Sequence, residues 1–137
     1  IPLLNKLFGG YHLVNLNLNN IHEIDVLTGA FLFTRREILD KFGGFDEDYF
    51  AYGEDIEMAF QIKELGYKII YYPLWKVLHL KSVSGLKKND LNIRRKTNYY
   101  FYDSMKIFYD KHYAMEHSWL TNKLVYLAID VKKKLNK

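Results

Sequence analysis

Gly43-Gly44-Phe45-Asp46-Glu47-Asp48-Tyr49-Phe50-Ala51-Tyr52-Gly53-Glu54-Asp55-Ile56-Glu57-Met58-Ala59-Phe60-Gln61-Ile62-Lys63-Glu64-Leu65-Gly66 is the stretch around which the other segments arrange themselves. A glycine pair opens it and a single glycine closes it. Between them six carboxylates, Asp46, Glu47, Asp48, Glu54, Asp55 and Glu57, fall within twelve consecutive positions among aromatic residues. Like charges at that density repel, so a fold that keeps them together has a use for them: cations, a metal ion or proton transfer.

The second part of the stretch reads as a helix from Glu54 to about Leu65. Glu54, Asp55 and Glu57 occupy its first turn, where unpaired backbone amides and the macrodipole favour negative charge. Ile56, Ala59, Phe60 and Leu65 give an inward stripe with Met58 and Ile62 beside it, while Lys63 and Glu64 face water. Gly66 is the left-handed terminator. By themselves the three acids support two readings equally: a helix cap, or a site.

Working outward, residues 35–42 form a short helix stopped by Gly43-Gly44, with Ile38, Leu39 and Phe42 toward the core. The apolar run before it, residues 26–34, suits a strand buried on both faces, and Gly29 within it permits close backbone approach or a simple bulge. Further upstream, residues 1–8 suggest an amphipathic turn, residues 11–18 a weak strand and the Asn-rich run 15–20 a loop. His12 and His22 have no spacing that points to a metal. After Gly66, residues 67–72 read as a strand ended by Pro73, and residues 76–80 as a second strand delivering His79 to its end. Six basic residues and one acid follow between Lys81 and Lys96, beginning in a loop with Ser82, Ser84 and Gly85. Residues 89–109 form a long helix with aromatics on nearly every side. Residues 117–137 form a last helix, striped by Leu120, Leu124, Leu127, Val131 and Leu135.

A chain of 137 residues, 49% hydrophobic and 17% aromatic, supports one domain with a real core and excludes disorder. The absence of cysteine excludes a disulfide framework and any Cys-based metal site, and is compatible with a reducing compartment. No apolar run reaches membrane-spanning length. The chain begins at Ile and is expected to be part of a longer protein. Its net charge of +4 belongs to the tail: residues 117–137 carry five Lys and one Asp, while the remainder balances at fifteen of each sign. A surface built for nucleic acid is therefore not what the basic pI reports. The lysines and stripe of the last helix fit packing on the domain, packing on a second copy, or an anionic membrane surface.

Four motifs in fixed order, Gly43-Gly44-Phe45-Asp46-Glu47-Asp48-Tyr49-Phe50, Glu54-Asp55-Ile56-Glu57-Met58, Gly66-Tyr67-Lys68-Ile69-Ile70-Tyr71-Tyr72-Pro73 and Val77-Leu78-His79, resemble the second half of an inverting family 2 glycosyltransferase of the rhamnosyltransferase-like kind. The likeness covers residues 26–85 and extends more loosely to 112. It implies an α/β fold, a partial GT-A (Rossmann-like) domain, with residues 1–112 as its acceptor-side half and 113–137 as a basic helical extension. It implies Asp55 as the general base, Thr28, Gly29 and Ala30 beside the substrate diphosphate, and His79 as a ligand for a divalent metal, Mg or Mn. Glu54 and Glu57 would shape the field of Asp55 or bind the acceptor, and Lys81 and Ser82 would close over the diphosphate. Gln61 stands where the family usually carries Arg, so any ion pair made by that Arg is in question.

The implied substrates are a nucleoside diphosphate sugar and a glycan or lipid-linked acceptor, handled in the cytoplasm or peripherally on the inner face of the cell membrane. The family's nucleotide-binding half and its Asp-rich metal motif would precede residue 1. The chain alone is thus expected to be inactive and to self-associate through uncovered apolar surface. The competing reading is a non-catalytic module that docks on a membrane or protein, its acids only a helix cap.

Overall fold

The computed structural model describes residues 16–26, 28–79 and 91–136. Strand β1, His22–Ile24, pairs antiparallel with β2, Ile69–Tyr71, placing His22 opposite Tyr71, Glu23 opposite Ile70 and Ile24 opposite Ile69. Between them in sequence lie helices α1, Arg36–Phe42, and α2, Glu54–Glu64. Helix α3, Leu91–His112, a 3-10 turn at Ala114–Glu116 and helix α4, Trp119–Leu135, complete the chain.

One cluster holds the sheet and the first two helices together. Ile24 and Ile69 from the strands, Ile38 from α1, and Met58, Ala59 and Ile62 from α2 are buried against each other, with Leu32, Leu39, Phe42 and Tyr71 packed around them. The inward side of α2 is therefore Glu57, Met58, Ala59 and Ile62, whereas Ile56 and Leu65 lie outward of the expected stripe. Helix α2 ends as Gly66 dictates. In the left-handed region at φ 80°, Gly66 donates its N–H to Lys63 O, and Tyr67 donates to Ile62 O. These are the two bonds that satisfy the last carbonyls of a glycine-terminated helix.

Helices α3 and α4 form an antiparallel hairpin, as their cross-pairs run in opposite order. Asn98 reaches Lys133 O, Lys106 pairs with Asp130 at 2.7 Å, and Tyr109 Oη donates to Asn122 Oδ1 at 2.8 Å. Ser118 caps α4 by accepting from Thr121 N–H. The hairpin meets α2 and the acidic loop through aromatic pairs: Phe60 on Phe108, Phe50 on Tyr100 and Tyr52 on Phe101.

Two expected strands do not form. Residues 28–35 and 76–79 lie outside any strand, and Phe31 and Phe33 stand exposed, packed edge-on at 5.0 Å. A strand buried on both faces needs a neighbour on each edge to take its N–H and C=O groups. The described sheet, two strands of three residues each, supplies none for these segments. The predicted turn at 1–8 and most of the predicted strand at 11–18 lie outside the described residues.

Candidate functional site

Helix α2 starts on a strained corner. Tyr52 has φ 68° and Gly53, the residue before the helix, φ 88°, so two consecutive residues sit in the left-handed region. A non-glycine residue held there costs about 1–2 kcal/mol, and such strain persists only where surrounding contacts enforce it. Here Gly53 is wedged: a Cβ on it would lie 3.0 Å from both Ser104 Cβ and Tyr49 Cδ1. The corner leads into the first turn of α2, where Asp55 meets the 28–30 segment.

Asp55 is half-buried. Its Oδ2 accepts the backbone N–H of Gly29 at 2.8 Å, and its Oδ1 accepts from Ile56 N–H at 2.9 Å. A Cβ on Gly29 would sit 3.4 Å from Asp55 Cβ, in ordinary contact, so the turn lies directly against the Asp55 side chain. Thr28 Oγ1 accepts from Ala30 N–H at 3.2 Å, which closes the turn around Gly29. Thr28, Gly29 and Ala30 are all exposed beside the carboxylate.

The other acids separate into two groups. Asp46, Asp48 and Glu57 are engaged by adjacent residues of the last turn of α3, Lys111 and His112. Lys111 Nζ bridges Asp46 and Asp48, lying 2.6 Å from the latter. The hydrogen bond from Lys111 holds the Asp46 carboxyl below its ordinary range. Glu57, only 2% exposed, is enclosed by donors: Tyr49 Oη at 2.9 Å and His112 Nε2 at 2.7 Å on Oε2, and Gln61 Nε2 at 2.7 Å on Oε1. Burial alone would raise its pKa, but the bonds from Gln61, His112 and Tyr49 outweigh burial and leave it lowered. Burial and then the Glu57 carboxylate push the Tyr49 phenol up.

This placement speaks against one of the two expected roles of Glu57, binding the acceptor: sealed from solvent and bonded through both oxygens, it braces α2 against α3. It also resolves the question raised by Gln61, which bonds to Glu57 as a neutral donor while His112 faces the same carboxylate from α3. Glu54 differs. It is half-buried, and among the described residues its Oε2 is buried without a hydrogen-bond partner. An unpaired buried carboxylate oxygen is costly. Glu47 remains exposed.

His79 lies outside any helix or strand, exposed, and no strand delivers it. Among the described residues no group of three or more His, Cys, Asp or Glu side chains could hold a metal ion. His79 alone does not make a metal centre. Lys81 and Ser82 lie outside the described residues. The positioning residues Tyr49, Lys111 and His112 escaped the sequence reading. Their one local sign was a basic pair, Lys111-His112, closing a helix, a pattern that the helix dipole explains equally well.

Beside Asp55, Ile56 lines two cavities. One, of about 280 Å³, is walled by Tyr52, Phe101, Met105 and Phe108 of the α2–α3 junction and by Val125 and Ile129 of α4. The other, of about 240 Å³, opens between Val26, Phe60 and Phe108. Both are mainly apolar and adjoin the start of α2.

No solved structure matches this chain. Among curated proteins, N-acetylglucosaminyl-diphospho-decaprenol L-rhamnosyltransferase of Mycobacterium tuberculosis, from two strains, is 40% identical over 58 residues, which are 42% of this chain and 19% of that protein. The chain thus aligns with about a fifth of the length of those relatives. A model of the glycosyl transferase family group 2 matches residues 11–128, most of the chain, with the 28–30 turn, Asp55 and the Glu57 network inside it, and this protein belongs to that family.

Proposed function

We propose that this chain is the acceptor-side part of a partial GT-A domain that transfers a sugar, with inversion, from a nucleoside diphosphate sugar to a hydroxyl of a lipid-linked acceptor. The observation that carries the reading is the sorting of the acids. Asp46, Asp48 and Glu57 are consumed by Lys111 and His112, while Asp55 is held by Gly29 N–H at the exposed 28–30 turn. Asp55 is the base: it takes the proton of the acceptor hydroxyl as that oxygen bonds to the anomeric carbon from the face opposite the diphosphate. The bond from anomeric carbon to diphosphate oxygen breaks, its electron pair leaves with the diphosphate, and the proton stays on Asp55. Glu54, next to Asp55 in the first turn of α2, shapes the field of the base.

The proposed acceptor class, a sugar on a polyprenyl diphosphate, follows the substrate named for the mycobacterial relative. At the departing diphosphate Lys81 supplies positive charge and Ser82 a hydroxyl donor, with a divalent cation if His79 and further residues together hold one.

The test is Asp55→Asn in the full-length protein that contains this chain, with transfer to a polyprenyl-linked acceptor and binding of the nucleotide sugar measured side by side. Transfer should be lost while binding stays near normal. Transfer that survives would reject the catalytic reading in favour of an interaction module whose acids only brace a helix.

A further inference from the structure

Helix α4 meets α3 through Asn122, Tyr126, Ile129, Asp130 and Lys133. The aliphatic stripe foreseen in the sequence is therefore not the packing face. Leu120, Leu124, Leu127, Val131 and Leu135 all point outward, each between 47% and 79% exposed. At about 1.5 Å per residue the stripe runs ~22 Å along the helix. Single exposed leucines are ordinary, but an unbroken row of five on one face is a surface shaped to be covered.

The charges say by what. The acid of α4, Asp130, is turned to α3 and paired with Lys106. The outward side carries Lys123, Lys132 and Lys134 around the stripe, and Lys133 lies 4.1 Å over the Tyr99 ring near Arg94 and Arg95. Trp119 stands exposed at the start of the helix, with Lys123 over its ring at 4.3 Å. A second copy docked stripe to stripe would bring like charges together along both rims. No described helix is long and apolar enough to cross a membrane. Aliphatic stripe, lysine flanks and a terminal tryptophan together match a helix that lies in the plane of an anionic lipid surface. We propose that α4 is an interfacial membrane anchor, seated by its leucine stripe among acyl chains with its lysines at anionic headgroups.

The test is sedimentation of the chain with phosphatidylcholine vesicles, with and without phosphatidylglycerol, beside sedimentation velocity of the chain alone. Binding should require phosphatidylglycerol and weaken in high salt. Replacing Lys123, Lys132 and Lys134 by Gln should lower affinity for the anionic vesicles on the order of a hundredfold, at about fivefold per lysine. Leu124→Glu with Leu127→Glu should release the chain from vesicles with its helical circular dichroism intact, because neither side chain packs inside. Failure to bind phosphatidylglycerol vesicles, binding that both sets of substitutions leave unchanged, or a dimer dissolved by the leucine pair without vesicle binding would each overturn the anchor.

Discussion

Gly29 and Asp55, 26 positions apart, are joined by one hydrogen bond from the glycine N–H to carboxylate Oδ2, 2.8 Å long, that fixes where the proposed base can point. The bond depends on the glycine backbone and not on a side chain, so two substitutions separate its parts. Gly29→Ala keeps the N–H and adds a methyl at ordinary contact distance, 3.4 Å from Asp55 Cβ, so most transfer should survive in the full-length protein. Gly29→Pro removes the donor. Losing a hydrogen bond to a charged group is worth about 1.5–3 kcal/mol, so kcat should fall at least about tenfold, with nucleotide-sugar binding less affected. Equal activity in the two variants would show that the bond positions nothing.

Gly53 is a different kind of glycine, and stability should reveal it. At φ 88° it pays the left-handed penalty for any substitution, and its Cβ would press to 3.0 Å on Ser104 Cβ and on the Tyr49 ring. Gly43 and Gly44 are also left-handed, but a Cβ there meets nothing within 4 Å. Gly43→Ala should cost about 1 kcal/mol from conformation alone. Gly53→Ala adds overpacking and should cost about 2–4 kcal/mol. Urea unfolding of the two variants measures the difference, and equal midpoints would mean that the corner yields freely.

The Glu57 network makes stability depend on pH with a definite sign. The folded state holds Glu57 below its ordinary value of 4.5 and Asp46 below 3.8. Each contributes stability that is complete above those values and lost as pH falls through the lowered, folded-state values. Urea midpoints should therefore decline on acidification below about pH 4.5, and Glu57→Gln should flatten that decline. At neutral pH Glu57→Gln should itself lose about 2 kcal/mol, because it turns an amide toward donors that need an acceptor. His112→Ala should lose a similar amount, and the double variant less than the sum, since both act on one network.

Local chemistry was legible in the sequence, and pairing was not. The start of α2 at Glu54, its stop at Gly66, the inward set of α1 and the two long helices follow from caps, glycines and periodicity within one segment. The meeting of the 28–30 step with Asp55 was legible only through family resemblance, since nothing at either segment names the other. Residues 26–34 read as a strand because the run is apolar, yet strand formation is decided by neighbours that those residues cannot specify. The face of α4 was hidden for a related reason. Its leucines are the more hydrophobic side, but Lys106 and Tyr109 of α3 offer partners only to Asp130 and Asn122, and those polar matches turn the leucines outward.

The unformed strands leave a second consequence that can be measured. Phe33, Trp75 and Leu78, which would pack inside a continued sheet, are each more than three-quarters exposed, at 83%, 77% and 83%. Large apolar groups brought together in one folded chain favour burial against another copy when no sheet neighbour covers them. At micromolar concentration the chain should therefore scatter light as a species of twice 16.4 kDa or more. Trp75→Glu with Leu78→Glu should shift it to monomer, because neither side chain is part of the buried cluster of strands, α1 and α2. The leucine pair on α4, Leu124→Glu with Leu127→Glu, should leave the mass unchanged. A monodisperse monomer for the unaltered chain would mean that these side chains tolerate water, and that the strand segments need no partner to stay soluble.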